Sequence, residues 1–320
     1  MAVESVGMIG LGIMGSAMST NLIRAGFKVV GYDVLAPRRD ALRKAGGVAA
    51  KSSREVAPNC ATIVTSLPSS DALLDTASQL AESAHEGQIV IETSTLPISV
   101  KEEARTRLAA GGVTLLDCPL SGTGAQARAK DLIVYASGDH KTYRRTTRVM
   151  DGFARAHYFV GPFGAGSKMK FIANLLVAIH NVAAAEAMVL AMKSGLDPEL
   201  VVKVIGDGAG SSRMFQVRAP MMVKGDYSDA TMKVQIWQKD MTIIGEFAKK
   251  LDCPTPLFAA SAPFYTSAMA MGLGEKDTAA VCEVIERMAN SQRNSKGHGG
   301  RRKNSASTPG RSPSSRSPLP

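Results

Sequence analysis

The sequence predicts an α/β protein, a doubly wound sheet of parallel strands, followed by an all-α domain. Three observations carry this expectation. Short apolar runs alternate with helix-forming segments through the first half of the chain. A glycine turn of the form G-x-G-x-x-G stands between the first run and the first helix. After about residue 165 the strand-like runs stop, and long Ala-rich helical segments replace them. We place the α/β domain at 1–163, the helical domain at 164–289 and a tail at 290–320.

Taken in order, SVGMIGL (5–11) reads as the first strand, and a helix follows from about Ile13 to Ala25. Gly26 stands where a helix C-terminal glycine belongs. KVVGYD follows as the second strand. Further strands are expected at ATIVTSL (61–67), QIVIETS (88–94), VTLLDCPL (113–120) and LIVYASG (132–138). SSREVAP, SDALLDTASQLAESA and ISVKEEARTRLAAGG supply helices between them, and strand–helix alternation at this length implies right-handed crossovers in a parallel sheet. IANLLVAIHNVAAAEAMVLAMKSGLDP reads as one long helix ended by Gly195 and Pro198. Being apolar nearly all round, it is expected to be buried between domains or subunits.

Composition narrows the function classes. At 320 residues, 45% hydrophobic and 21% charged, the chain has the balance of a globular protein with a sizeable core. No uninterrupted apolar run approaches a membrane span, and the N-terminus shows no basic leader, so neither membrane insertion nor export is expected. Cys60, Cys118, Cys253 and Cys282 lie far apart and the five histidines are scattered. They read as buried thiols in a reducing, cytoplasmic setting, and no metal is expected. The net charge is +10, but Arg293, Lys296, Arg301, Arg302, Lys303, Arg311 and Arg316 supply seven of those charges in an acid-free tail. The tail is Ser/Pro/Gly/Arg-rich and reads as disordered. It is the only part of the chain suited to nucleic acid, and a solvated extension explains it more simply.

The turn Gly10, Leu11, Gly12, Ile13, Met14, Gly15 follows a strand and opens a helix, the setting in which this spacing marks a dinucleotide site of Rossmann type. The first glycine permits the tight turn and the second admits the diphosphate. The third lets helix and strand pack closely, with the diphosphate at the helix N-terminus. Asp33 ends the second strand, where a carboxylate accepts the ribose hydroxyls. That favours NAD; NADP is the alternative, because Arg38 and Arg39 follow closely.

With these motifs, the chain resembles the β-hydroxyacid dehydrogenases, the family of 3-hydroxyisobutyrate dehydrogenase, tartronate semialdehyde reductase and L-threonate dehydrogenase, over about residues 4–289. GMIGLGIMGSAMSTNLIRAG is one point of likeness. DCPLSGTGAQA (117–127) is similar to the family's D-x-P-[VL]-S-G-G segment. GPFGAGSKMKFIAN (161–174) matches its G-x-x-G-x-G-x-x-x-K-x-x-x-N signature, and WQKD (237–240) its Lys-Asp pair. The resemblance implies Lys170 as catalytic acid/base, Ser121 and Gly122 as holders of the substrate carboxylate, and Asn174 as the residue that orients the substrate. It implies cofactor contacts at Leu67, Pro68 and Thr95, and places Lys239 toward the nicotinamide end. Thr123 replaces the second glycine of S-G-G; it would narrow the carboxylate cradle or add a hydroxyl to it.

Helix geometry agrees with the choice of lysine. Residues four apart share a face, whereas residues two apart do not, so Lys170 and Asn174 look the same way and Lys168 does not. Lys168 reads as a solvated lysine, Asn181 as an interhelical contact and Cys118 as core. A lysine with an ordinary pKa of about 10.4 is a poor base near neutrality, and burial would depress it. Ala173 stands where the related decarboxylating 6-phosphogluconate dehydrogenases have a histidine, which disfavours a sugar phosphate. Lys170 also argues against the imine reductases, which usually lack it. The expected activity is NAD-dependent, reversible oxidation of a small 3-hydroxy carboxylic acid (3-hydroxyisobutyrate-, glycerate- or threonate-like) by a homodimer or homotetramer. The alternatives are an NADPH-dependent reductase of short aldehyde acids such as succinic semialdehyde or glyoxylate, and a non-catalytic scaffold that uses its tail on nucleic acid.

Overall fold

The structure is a computed structural model and describes residues 3–291. All but the first two residues of the basic tail lie outside the described residues. The first domain runs β1 (Ser5–Ile9), α1 (Ile13–Arg24), β2 (Lys28–Tyr32), α2 (Ala36–Lys44), β3 (Val48–Ala49), α3 (Ser53–Val56), β4 (Thr62–Thr65), α4 (Ser70–Ser83), β5 (Ile89–Glu92), α5 (Ile98–Ala110) and β6 (Thr114–Asp117). It continues with β7 (Leu120–Ser121), α6 (Gly124–Arg128), β8 (Ile133–Ala136), α7 (His140–Phe153) and β9 (Ala156–Phe159). Helices α8 (Ala165–Lys193), α9 (Pro198–Asp207), α10 (Arg213–Lys224), α11 (Val234–Lys250), α12 (Pro256–Ala270) and α13 (Val281–Met288) follow.

Six parallel strands form one sheet in the order β3-β2-β1-β4-β5-β6. The order reverses between β1 and β4, so their C-terminal ends form the crevice in which ligands of such sheets bind. Apolar clusters cover both faces: Met8, Leu22 and Phe153 belong to one, Ile63, Leu80 and Leu108 to the other. The strands accordingly read as near-continuous apolar runs rather than alternating ones.

The parallel sheet ends sooner than the sequence suggests. VTLLDCPL is not one strand: β6 stops at Asp117 and, beyond Cys118 and Pro119, β7 pairs antiparallel with β8. Proline lacks the N–H to continue a ladder, so the chain turns there. LIVYASG therefore joins a separate three-stranded sheet, β7-β8-β9, instead of extending the first. Strands β3 and β9 carry no apolar run that would announce them: the first is two residues long, and the second reads AHYF.

Helix α8 is the axis of the second domain, and α9 to α13 pack around it. Phe171, Ala178, Ala185 and Met188 enter a core shared with Phe215, Trp237, Ile244 and Tyr265. By length and apolar content α8 could cross a bilayer, yet Asn174 and Asn181 are buried on it and bonded to neighbouring helical elements. Asn181 donates to the Thr278 carbonyl at 2.8 Å, the interhelical contact expected of it. The helix is not buried all round, however: Met169, Ile172, Leu176 and Leu190 remain exposed. The thiol expectation also needs correction. Cys60, Cys118 and Cys282 are buried, but Cys253 lies in the exposed connection after α11.

Candidate active site

The glycine turn sits at the point where the strand order reverses. Gly10 has φ +89°, and a Cβ there would stand 2.1 Å from the Ser66 carbonyl oxygen at the end of β4. A Cβ on Gly15 would stand 1.8 Å from the Gly10 carbonyl oxygen, so this glycine lets α1 close onto the turn. Gly12 differs: its nearest neighbour would be Arg38 Nη1 at 3.9 Å, which leaves the middle of the turn open. Gly12 is also the N-cap of α1, with no side-chain cap and no acidic residue in the first turn. A bare helix N-terminus beside an open glycine turn suits an anionic diphosphate, so the chain fits a dinucleotide.

Asp33 is buried at the end of β2 and is already engaged. Its Oδ2 accepts the Leu11 N–H at 2.8 Å and pairs with Arg38 at 3.2 Å, while Oδ1 accepts the Leu35 N–H at 2.9 Å. Arg39 donates to the Asp33 carbonyl at 2.6 Å. The loops after β4 and β5 are bonded to each other, with the Leu67 N–H donating to Ser94 Oγ at 2.8 Å. Pro68 is exposed and Thr95 half-buried beside them.

On the other side, Gly164, at φ +89°, begins α8. A Cβ on Gly166 would lie 2.4 Å from the Tyr135 carbonyl oxygen and 2.6 Å from that of Asp117, so the helix starts hard against the ends of β6 and β8. Lys168 is exposed, whereas Lys170 is partly covered. Burial pushes the Lys170 pKa below that of an ordinary lysine; Asp240 opposes this shift and Lys239 adds to it. Asn174, one turn on and buried, donates to Asp240 Oδ2 at 2.9 Å. Lys239 Nζ is 3.8 Å from the other oxygen of Asp240. Burial raises the Asp240 carboxyl pKa while Lys239 and Lys170 pull it down. The structure thus brings Lys170, Asn174, Lys239 and Asp240 together from two helices.

The segment Leu120–Thr123 leads from β7 into α6. Gly122 has φ +133°, a conformation that favours glycine. Thr123 has φ −95°, so glycine is not required there. Its hydroxyl and its N–H both serve a capping box with Gln126, closing the N-terminus of α6. In that cap the hydroxyl oxygen accepts the Gln126 N–H at 3.4 Å, which leaves its proton to donate beside Ser121 and Gly122.

Two features escaped sequence reasoning. Asp240 was legible only as half of a Lys-Asp pair, and its bond to Asn174 spans 66 positions. The second is a buried ionic cluster of Glu92, Lys101 and Asp117. Its signal was a lysine at the head of an apolar stripe, since Lys101, Ala104 and Leu108 form the buried face of α5.

Known proteins match this arrangement over most of the chain. Residues 5–161 match the family described as the NAD binding domain of 6-phosphogluconate dehydrogenase, and residues 164–285 match the NAD-binding domain of NADP-dependent 3-hydroxyisobutyrate dehydrogenase. L-threonate dehydrogenase of Cupriavidus necator is 35% identical over 88% of this chain and 96% of its own. The chain belongs to the β-hydroxyacid dehydrogenase family. A second relative, the chloroplastic glyoxylate/succinic semialdehyde reductase 2 of Arabidopsis thaliana, is 28% identical over 88% of this chain and 79% of its own. The crystal structure of 3-hydroxyisobutyrate dehydrogenase from Salmonella typhimurium superposes with a TM-score of 0.80 at 32% identity, covering 88% of this chain and 99% of that one. As a β-hydroxyacid dehydrogenase, the protein is an oxidoreductase of the 3-hydroxyacid type with a nicotinamide cofactor.

Proposed function

We propose that the protein catalyses NAD-dependent, reversible oxidation of a small 3-hydroxy carboxylic acid, of the 3-hydroxyisobutyrate, glycerate or threonate kind, to its 3-oxo acid or semialdehyde. The single observation that carries this is Lys170: a lysine with its pKa lowered by burial, beside Asn174, at the start of a helix that abuts the strand ends. Such a lysine is unprotonated more often near neutrality and serves as a general base. In the oxidation direction Lys170 takes the hydroxyl proton, and in reduction it returns it. Asn174, fixed by Asp240, orients the hydroxyl. Ser121 Oγ and the Gly122 N–H hold the carboxylate. The Gly10–Gly15 turn would hold the diphosphate, Leu67, Pro68 and Thr95 would flank the cofactor, and Lys239 would lie toward its nicotinamide end. A bound nicotinamide would supply the hydride acceptor or donor.

L-threonate dehydrogenase and 3-hydroxyisobutyrate dehydrogenase among the relatives support this substrate range. Asp33 supports NAD. The pairing of Arg38 with Asp33, close to Gly12, favours a second reading, an NADPH-dependent reductase of short aldehyde acids. Initial rates with NAD and with NADP against a panel of 3-hydroxy acids, with succinic semialdehyde and glyoxylate assayed in reverse, separate the two. Turnover of hydroxy acids with NAD, lowered at least about 100-fold in Lys170→Ala, is the expected result. Turnover confined to NADPH and aldehyde acids would establish the second reading, and activity retained by Lys170→Ala would sink both. We further propose that the enzyme works in the cytoplasm as a homodimer or homotetramer, for which the exposed apolar residues of α8 argue; a monomer in sedimentation experiments would refute the assembly.

A further inference from the structure

A lysine with no access to solvent lies between the two halves of the candidate site. Lys101, in the first turn of α5, is 0% exposed. Its Nζ is 2.6 Å from Glu92 Oε2, 2.8 Å from Asp117 Oδ1 and 2.7 Å from the Ser94 carbonyl oxygen. An ammonium has three protons, so its donors are fully engaged. Both carboxylates are also 0% exposed. Such a cluster gives little net stability, because desolvation offsets most of the attraction. Its location suggests another use.

Each arm of the cluster reaches a different part of the site. Glu92 Oε1 accepts the Ser94 N–H at 2.8 Å, and Ser94 Oγ in turn accepts the Leu67 N–H, so this arm sets the two loops assigned to the cofactor. Asp117 reaches α8. That helix starts at a glycine with no side-chain cap, and the missing partners come from elsewhere in the chain. Asp117 Oδ2 accepts the Ser167 N–H and Asp117 Oδ1 the Ser167 hydroxyl, each at 2.8 Å, while Ser137 Oγ accepts the Gly166 N–H at 2.9 Å. Asp117 is therefore a capping carboxylate supplied from β6, well placed against the positive end of the helix dipole. Lys170 is one turn beyond Ser167, on the same side of the helix. The segment assigned to the substrate carboxylate begins at Ser121, four residues after Asp117.

We propose that Lys101 is a positioning residue of the hydroxyacid oxidoreduction: it clamps Glu92 to Asp117 and, through Asp117, sets where the first turn of α8 holds Lys170 relative to the substrate segment and the cofactor loops. Lys101 touches neither substrate nor cofactor. The proposal rests on the reading of Lys170 as the proton-transfer group.

Four variants separate positioning from plain stability. Lys101→Met strands two buried carboxylates; where it fails to fold, the triple variant Glu92→Gln/Lys101→Met/Asp117→Asn removes all three charges together. Ser167→Ala deletes one hydroxyl from the link, and Ser167→Thr keeps it. The readouts are kcat and KM with a 3-hydroxy acid and NAD affinity by fluorescence titration. A fourth readout needs no substrate: the pH dependence of trinitrobenzenesulfonate labelling at Lys170, followed by peptide mass spectrometry. We expect kcat to fall about 100-fold in the folded Lys101 variants, the scale of a displacement of about 1 Å. Ser167→Ala should lose about tenfold and Ser167→Thr should recover it, with NAD affinity unchanged in both Ser167 variants. The labelling profile at Lys170 should move wherever kcat falls. A folded triple variant with wild-type kcat and wild-type labelling would overturn the proposal, as would losses in kcat that only track lost NAD binding. A wild-type enzyme without turnover of any hydroxy acid would instead refute the functional reading, and labelling of Lys170 would still decide the positioning.

Discussion

The side-chain amide of Asn174 donates to Asp240 Oδ2 at 2.9 Å, joining α8 to α11 with both groups buried. The same carboxylate raises the pKa of Lys170 against the effect of burial. One residue thus orients Asn174 and limits how far Lys170 is depressed. Asp240→Asn separates the roles, because its amide oxygen can still accept from Asn174 while the charge is gone. The Lys170 pKa should then fall further, and the rising limb of the oxidation profile should move to lower pH. Asp240→Ala should also leave Asn174 unpaired and cost about 1–3 kcal/mol of stability in denaturant titration.

The pH dependence of the wild type follows from the direction of the Lys170 shift. Oxidation needs the free amine, so its rate should rise with pH through a limb below the ordinary lysine value. Reduction needs the ammonium and should fall across the same limb. Lys170→Ala should lower kcat about 100- to 10,000-fold with NAD still bound. Lys170→Arg should not rescue it, since a guanidinium does not release its proton. Profiles measured in both directions, with cofactor titrations of each variant, test this.

Two glycines of the nucleotide turn should fail in different ways. An added methyl at Gly15 meets the Gly10 carbonyl oxygen, so Gly15→Ala should destabilise the protein by about 1–3 kcal/mol. Gly12 has open space around it, so Gly12→Ala should melt like the wild type and lose cofactor affinity instead. Thermal melts with and without NAD would show the contrast.

Thr123 is engaged at the N-terminus of α6 through both its hydroxyl and its N–H. Thr123→Ala should cost about 1 kcal/mol through the lost cap and, where capping is its whole role, leave the rank order of hydroxy-acid substrates unchanged. A reordered substrate panel would show that the side chain reaches the carboxylate after all.

Of the four cysteines only Cys253 is exposed, and burial pushes the Cys60 thiol up to about 12. One thiol per chain should react promptly with a chromogenic disulfide in the folded protein. The other three should react only on unfolding.

Much of the site was legible because its signals are local. The spacing of Gly10, Gly12 and Gly15 encodes a backbone that only glycine permits, and the four-residue step from Lys170 to Asn174 encodes a shared helix face. The cap on α6 was missed, although Thr123 and Gln126 stand in the T-x-x-Q spacing of a capping box. The end of the parallel sheet at Pro119 was missed, because the apolar run VTLLDCPL reads as one strand.

By itself, then, the sequence determined the α/β class and the dinucleotide turn, each of which depends on backbone geometry or hydrophobic period within a short stretch. The choice of Lys170 came from the family resemblance, with the helical step to Asn174 in agreement. Tertiary structure alone decided that Asp33 is bonded to Leu11, Leu35 and Arg38, that Asp240 holds Asn174, and that Lys101 joins Glu92 to Asp117 beneath the start of α8. The energy of a charge depends on which groups surround it after burial. Those groups come from segments far apart in the chain, so their pairing is settled only when the strand ends and helices pack.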